Sequence, residues 1–206
     1  GKQSTIIRVT NPWQSANDVE TMLFIARGGE KAPDGFHGQV LQGDAERVVC
    51  MSSTHIAMLD AIGAVESVVG VSGKDFITNP YIMANQHTIP DVGYDGNMNF
   101  ELLVAQQPDI VLLFGVTGAC TMESKLNELG IPYIYIGEYV EEDPLGKTEW
   151  LVAIAEIVGL REQGQMYFSE VPKRYEHLKS LAASAQTPTP KVMINTPYAD
   201  SWFMAS

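Results

Sequence analysis

Residues 91–115 read DVGYDGNMNFELLVAQQPDIVLLFG, and this stretch decides the fold class. Gly93-Tyr94-Asp95-Gly96-Asn97 is a polar, glycine-bearing loop, not regular structure. Asn99 is a good N-cap for a short helix carrying Phe100, Leu102, Leu103 and Ala105. Pro108-Asp109 breaks that helix. Ile110, Val111, Leu112, Leu113 and Phe114 then form a continuous apolar run, the mark of a strand buried on both faces of a parallel sheet. A second glycine loop, Gly115-Val116-Thr117-Gly118, follows at the strand's carboxyl end, the edge where ligands sit in open α/β sheets. Both loops are therefore expected to face one crevice.

A βα rhythm extends on either side. Residues 47–51 predict a strand, and Ser52-Ser53-Thr54-His55 opens a helix through Ile56, Leu59 and Ile62 to Gly63. Hydroxyls and backbone N–H groups at such a helix start suit an anionic or carbonyl-bearing ligand, or serve as plain caps. Residues 67–71 predict a second strand, followed by a loop with Phe76 and a short helix near Asn79 to Asn85. Beyond Phe114, a helix near Cys120 and a strand at 133–136 complete a four-stranded, doubly wound parallel sheet with right-handed crossovers. Glu138-Tyr139 follows at its carboxyl end.

Upstream, residues 4–10 and 19–27 predict a hairpin, and glycine-rich residues 28–45 a long loop. Downstream, residues 143–186 carry a helical pattern with a stop or kink at Gly159 and Pro172 in its second half. A Pro-rich linker at 187–190 leads to a fifth strand at 191–195 and a loop bearing Tyr198 and Trp202. One strand forms no sheet alone. The expected organisation is a hairpin and loop (1–45), an α/β lobe (46–142), an interlobe helical segment (143–186) and the start of a truncated second lobe (187–206).

The chain has 206 residues, a net charge of −12 and 45% hydrophobic residues. That is ample for a globular core. Nucleic acid is a poor partner for so acidic a chain. No apolar run reaches the length of a membrane span. The sequence shows no signal peptide, but Gly1 reads as a cloning remnant, which leaves room for a removed targeting segment. Cys50 and Cys120 lack Cys-x-x-Cys or Cys/His companions, which argues against zinc. Two free thiols and a disulfide both stay open.

Residues 47–73, RVVCMSSTHIAMLDAIGAVESVVGVSG, together with 92–115, 126–136 (LNELGIPYIYI), 138–159 and 194–206 (INTPYADSWFMAS), resemble the substrate-binding proteins of ABC importers for iron complexes and cobalamin. In that class a helical backbone joins two lobes. Gly93, Asn99, Glu101, Pro108 and Asp109 stand where its pattern has a glycine, Asn-x-Glu and Pro-Asp. The resemblance implies a periplasmic or lipid-anchored protein that captures a ferric siderophore, haem or a corrinoid between its lobes and delivers it to a membrane permease. It also implies that most of the second lobe is absent. No cofactor is expected. Ligand-binding candidates are Ser53, Thr54, His55, Phe76, Tyr94, Asn97, Thr117 and Tyr139, with Tyr198 and Trp202 from the second lobe. Asp91 and Glu66 are candidates for docking the permease.

An α/β enzyme is the rival class. The chain has no G-x-G-x-x-G after a strand, no G-x-x-x-x-G-K-[ST] and no G-x-S-x-G elbow. Ser52, Ser53 and His55 are too close in sequence to form a Ser/His/Asp arrangement readily. A third reading is an interaction module whose fifth strand pairs into a partner.

Overall fold

The apolar runs become strands because each can be buried on both faces. In this computed structural model, which describes residues 3–185, 190–192, 199, 201 and 202, β1 (Thr5–Thr10) and β2 (Glu20–Ala26) form the expected antiparallel hairpin. A third strand, β3 (Gln39–Gln42), pairs parallel to β2. Residues 28–45 are therefore not loop throughout. Four residues, QVLQ, carry too little alternation to announce a strand, and only the neighbouring edge of β2 supplies their hydrogen bonds.

The main sheet contains β4 (Val48–Cys50), β5 (Val68–Val71), β6 (Ile110–Leu113) and β7 (Tyr133–Tyr135). All its pairings are parallel and its order is β5-β4-β6-β7. The pleat sorts the side chains into two layers. Val48, Cys50, Ile110, Leu112, Ile134 and Ile136 join one core with Ile56 and Leu59 of α1 (Ser53–Ala61). Val49, Met51, Val111, Leu113, Tyr133 and Tyr135 join a second. There they meet Leu103 of α3 (Phe100–Ala105) and Leu126 of α4 (Glu123–Leu129); α2 (Pro80–Ala84) lies between α1 and α3 in sequence. Helices thus cover both faces, as expected for a doubly wound sheet. Burial of each such aliphatic side chain is worth about 1.5–3 kcal/mol.

The first core also takes in Val9, Leu23, Ile25 and Leu41 from the N-terminal strands. A part-buried ion pair reinforces that join. The Arg27 guanidinium donates from Nη1 to Glu156 Oε1 at 2.6 Å, from Nη2 to the Glu156 carbonyl at 2.8 Å and from Nε to Asp44 Oδ1 at 2.6 Å. Burial works against the charged guanidinium, but the two carboxylates outweigh it and hold its pKa above the ordinary value.

The helical segment is two helices, α5 (Pro144–Ile157) and α6 (Arg161–Ser184). Asp143 caps α5 by accepting from the Leu145 and Gly146 N–H groups. Gly159, at a φ of 73°, makes the stop between the helices, and α6 continues through Pro172. Contacts divide the chain into Gly1–Pro172 and Lys173–Ser206. In the second unit Tyr175, Leu178 and Leu181 are exposed along α6. Most of the expected fifth strand lies outside the described residues.

Candidate ligand-binding site

The loops that follow β4, β5, β6 and β7 gather at the carboxyl edge of the main sheet. Gly93 shows why the loop ahead of α3 needs glycine. Its φ is 91°, and a Cβ there would collide with the Asn97 carbonyl oxygen. Inside the turn the Asn97 N–H donates to the Tyr94 carbonyl at 2.9 Å. Asn99 caps α3 as expected, accepting from the Leu102 N–H at 2.9 Å.

Tyr94 is left 63% exposed on this loop. With Asp95 and residues 113–120 it lines a cavity of about 310 Å³, completed by Met51, Ser72 and Met122. The two glycine loops do share one crevice. Asp95 ties them together, because its Oδ1 accepts from Thr121 Oγ1 at 2.8 Å and from the Met122 N–H at 3.2 Å. Neither Asp95 nor Met51 is among the ligand-binding candidates read from the sequence. Asp95 lay inside the quoted loop, but its partners arrive from 26 and 27 residues away.

A hydroxyl network supports the floor. The Cys120 N–H donates to Tyr135 Oη at 2.6 Å, and Tyr135 Oη donates to Glu123 Oε1. Tyr133 Oη donates to Glu123 Oε2 at 3.1 Å. Burial raises the pKa of both phenols, and the Glu123 carboxylate adds to the shift. Burial also pushes the Cys120 thiol up to about 11, so it is a neutral thiol at pH 7. Cys50 is buried and, like Cys120, free. The disulfide left open by the sequence is absent.

The remaining candidates divide among neighbouring sites. Thr117 lines the same cavity as Tyr94. Asn97 joins Tyr94 on a second, shallower groove of about 670 Å³. Ser53, Thr54 and Phe76 line a third cavity of about 420 Å³ beside α1, where the Phe76 ring is 83% exposed. Thr54 is partly committed, since its hydroxyl donates to Glu138 Oε1. Tyr139 is half exposed, and its Oη accepts from Gln14 Nε2 at 3.5 Å. Trp202 belongs to the second unit, and Tyr198 lies outside the described residues.

His55 is 0% exposed and lines none of these cavities. It is the third residue of α1 and is buried against the core, while Ser52 takes the capping role by accepting from the Thr54 N–H. Neither ring nitrogen makes a hydrogen bond of good geometry. Burial drives the imidazole pKa down to about 3, weakly opposed by the Leu112 backbone. The ring is therefore a neutral core group.

The docking candidates are also apart. Asp91 bridges to Val71 at the carboxyl end of β5, whereas Glu66 is exposed just before its amino end. Asp91 accepts from the N–H groups of Lys74 and Gly93 at 2.9 Å and of Gly73 at 3.3 Å, so it organises two loops.

A family described as periplasmic binding protein matches residues 48–206. The chain belongs to that family. Two lipoproteins of Methanocaldococcus jannaschii, both named as uncharacterized, are 29% and 26% identical to it, over 84% of this chain and 42% and 46% of their own lengths. The chain therefore spans less than half of the curated relatives it matches. A periplasmic heme-binding protein of Pseudomonas aeruginosa superposes with a TM-score of 0.56 at 20% identity, covering 69% of this chain and 48% of its own. A structure titled an ABC-type Fe3+-hydroxamate transport system, from Saccharomonospora viridis, gives 0.53 at 18% identity, covering 84% and 56%. These likenesses show the shared fold. The family places the protein outside the cytoplasm. Membership of that family makes the chain part of a periplasmic binding protein rather than an enzyme.

Proposed function

We propose that this chain forms the N-terminal lobe of the substrate-binding component of an ABC importer. That component captures an iron chelate or a corrinoid at the carboxyl edge of the main sheet and hands it to a membrane permease. One observation carries the reading: two glycine loops far apart in sequence line one cavity, with the exposed Tyr94 ring over it. An aromatic ring held out on a polar loop offers flat apolar surface to a bulky ligand, and burying it on binding recovers that area.

Charge narrows the ligand class. The three cavities along the sheet edge are lined by the carboxylates of Asp60, Asp91, Asp95 and Glu101, and by no Lys or Arg among the described residues. Like charges about 4 Å apart repel by roughly 1 kcal/mol in water and 4 kcal/mol near a protein surface. An uncharged or cationic chelate is therefore favoured over a polyanionic one. Exposed Leu178 and Leu181 on α6 fit a longer protein in which a second lobe covers them.

Thermal-shift titration of this chain with ferrioxamine, cyanocobalamin, haemin and a ferric tris-catecholate tests the reading. Binding raises the melting temperature by mass action. The uncharged or cationic members should give the larger shifts, and Tyr94→Ala should weaken them about tenfold, roughly 1.4 kcal/mol, without altering ligand-free stability. No shift with any of the four would overturn the proposal.

A further inference from the structure

The segment ahead of the family match also contributes to this site. The match begins at residue 48, yet the tip of the β1–β2 hairpin, residues 11–18, reaches the cavity loops. Asn11 closes that tip twice: its N–H donates to the Val19 carbonyl at 2.8 Å, and its Oδ1 accepts from the Val19 N–H at 3.3 Å. Among the described residues five non-glycine positions have positive φ, and three of them, Asn11, Ser15 and Asp18, lie in this tip. Such conformations persist where surrounding structure over-determines them.

The surroundings here are the walls of the site. The Gln14 N–H donates to the Val116 carbonyl at 3.0 Å. The Trp13 ring meets Tyr135 edge-on, with centroids 5.2 Å apart and planes at 67°. Trp13 also presses on Gly115 so closely that a Cβ there would stand 3.0 Å from its Cβ and Cε3. Gln14 Nε2 reaches Tyr139 Oη at 3.5 Å. The tip thus touches the loop after β6, the aromatic floor of β7 and the aromatic beyond it. Arg27 fixes the far end of the same hairpin to α5.

We propose that Trp13 and Gln14 are positioning residues for the ligand site. Trp13 sets how far the 115–118 loop stands above Tyr135, and Gln14 holds that loop and Tyr139 in register. The hairpin tip therefore tunes affinity without needing to touch the ligand. The ligand part of this proposal rests on the binding function proposed above; the loop-positioning part does not.

Amide hydrogen exchange on the ligand-free 206-residue chain tests the positioning directly. Trp13→Ala should accelerate exchange at residues 115–120 by about tenfold or more, while β4 and β6 keep their protection. Trp13→Phe, which retains an apolar ring against Tyr135, should restore most of it. Ferrioxamine, cyanocobalamin or haemin, whichever shifts the wild type most, should bind Trp13→Ala about tenfold more weakly and Trp13→Phe nearly as well as wild type. Unchanged exchange at 115–120 in Trp13→Ala overturns the proposal. So does acceleration with unaltered affinity for a probe that binds the wild type. Should Trp13→Ala unfold the chain, Gly115→Ala, which pushes the loop off the ring from the other side, decides by the same two readouts. If no probe binds the wild type, the binding function falls and the exchange data still judge the positioning.

Discussion

Replacing Tyr135 by Phe removes one oxygen from beneath the binding loops and leaves the ring in the core. That oxygen has two partners, accepting from the Cys120 N–H at 2.6 Å and donating to Glu123 Oε1. The bond to the amide is worth about 0.5–1.5 kcal/mol net and the bond to a charged carboxylate about 1.5–3 kcal/mol. Tyr135 is fully buried, so water cannot readily stand in. The expected cost is about 2–4 kcal/mol. For a chain of this size each kcal/mol lowers the melting temperature by roughly 2–4 °C, so a loss of about 3 kcal/mol gives roughly 6–12 °C. Tyr133→Phe is the internal control. Its hydroxyl makes longer bonds, 3.1 Å to Glu123 and 3.3 Å from Asn127, and anchors no binding-loop amide, so about 1 kcal/mol is expected. Circular-dichroism melts give the two stabilities, and hydrogen exchange at Cys120 reports the freed amide. A melting temperature within about 1 °C of wild type for Tyr135→Phe, or equal losses for the two variants, would refute this account of the cavity floor.

His55 gives an acid-side prediction. Its folded pKa of about 3 lies below the ordinary 6.5, so the unfolded state binds the extra proton between those values. The stabilisation from keeping the ring neutral is therefore complete above pH 6.5 and is lost as pH falls toward 3. Urea unfolding at pH 7 and pH 4.5 should show a larger loss for wild type than for His55→Leu; parallel losses would count against it. Arg27→Ala should cost about 1–3 kcal/mol, because it removes the 2.6 Å partner of the buried Glu156 carboxylate and leaves it only Arg161, 3.6 Å away. A double replacement with Glu156→Gln should recover part of that in chemical denaturation, and a fully additive double variant would contradict the pairing.

The sheet was legible because its signals are local. Ile110 to Leu113 are apolar at every position, as a strand covered on both faces must be, and the Asn99 cap and the Gly159 stop occur where the sequence placed them. That Tyr94 and Thr117 line one cavity follows from the same logic, since glycine loops after parallel strands share an edge. His55 looked like a site residue because it follows Ser52-Ser53-Thr54. The direction in which the third residue of a helix points depends on what packs beneath it, and sequence spacing does not reveal that.

Periodicity, caps and breakers in the amino-acid sequence determined the parallel α/β lobe, its carboxyl-edge crevice and the helices beyond it. Tertiary structure alone decided that Asp95 ties the two glycine loops, that QVLQ becomes a strand and that Trp13 reaches Gly115. The physical reason is range. A strand run or a cap is written within a few neighbouring residues, whereas these three features join groups from about 15 to 100 residues apart in the chain, and only the folded packing brings them together.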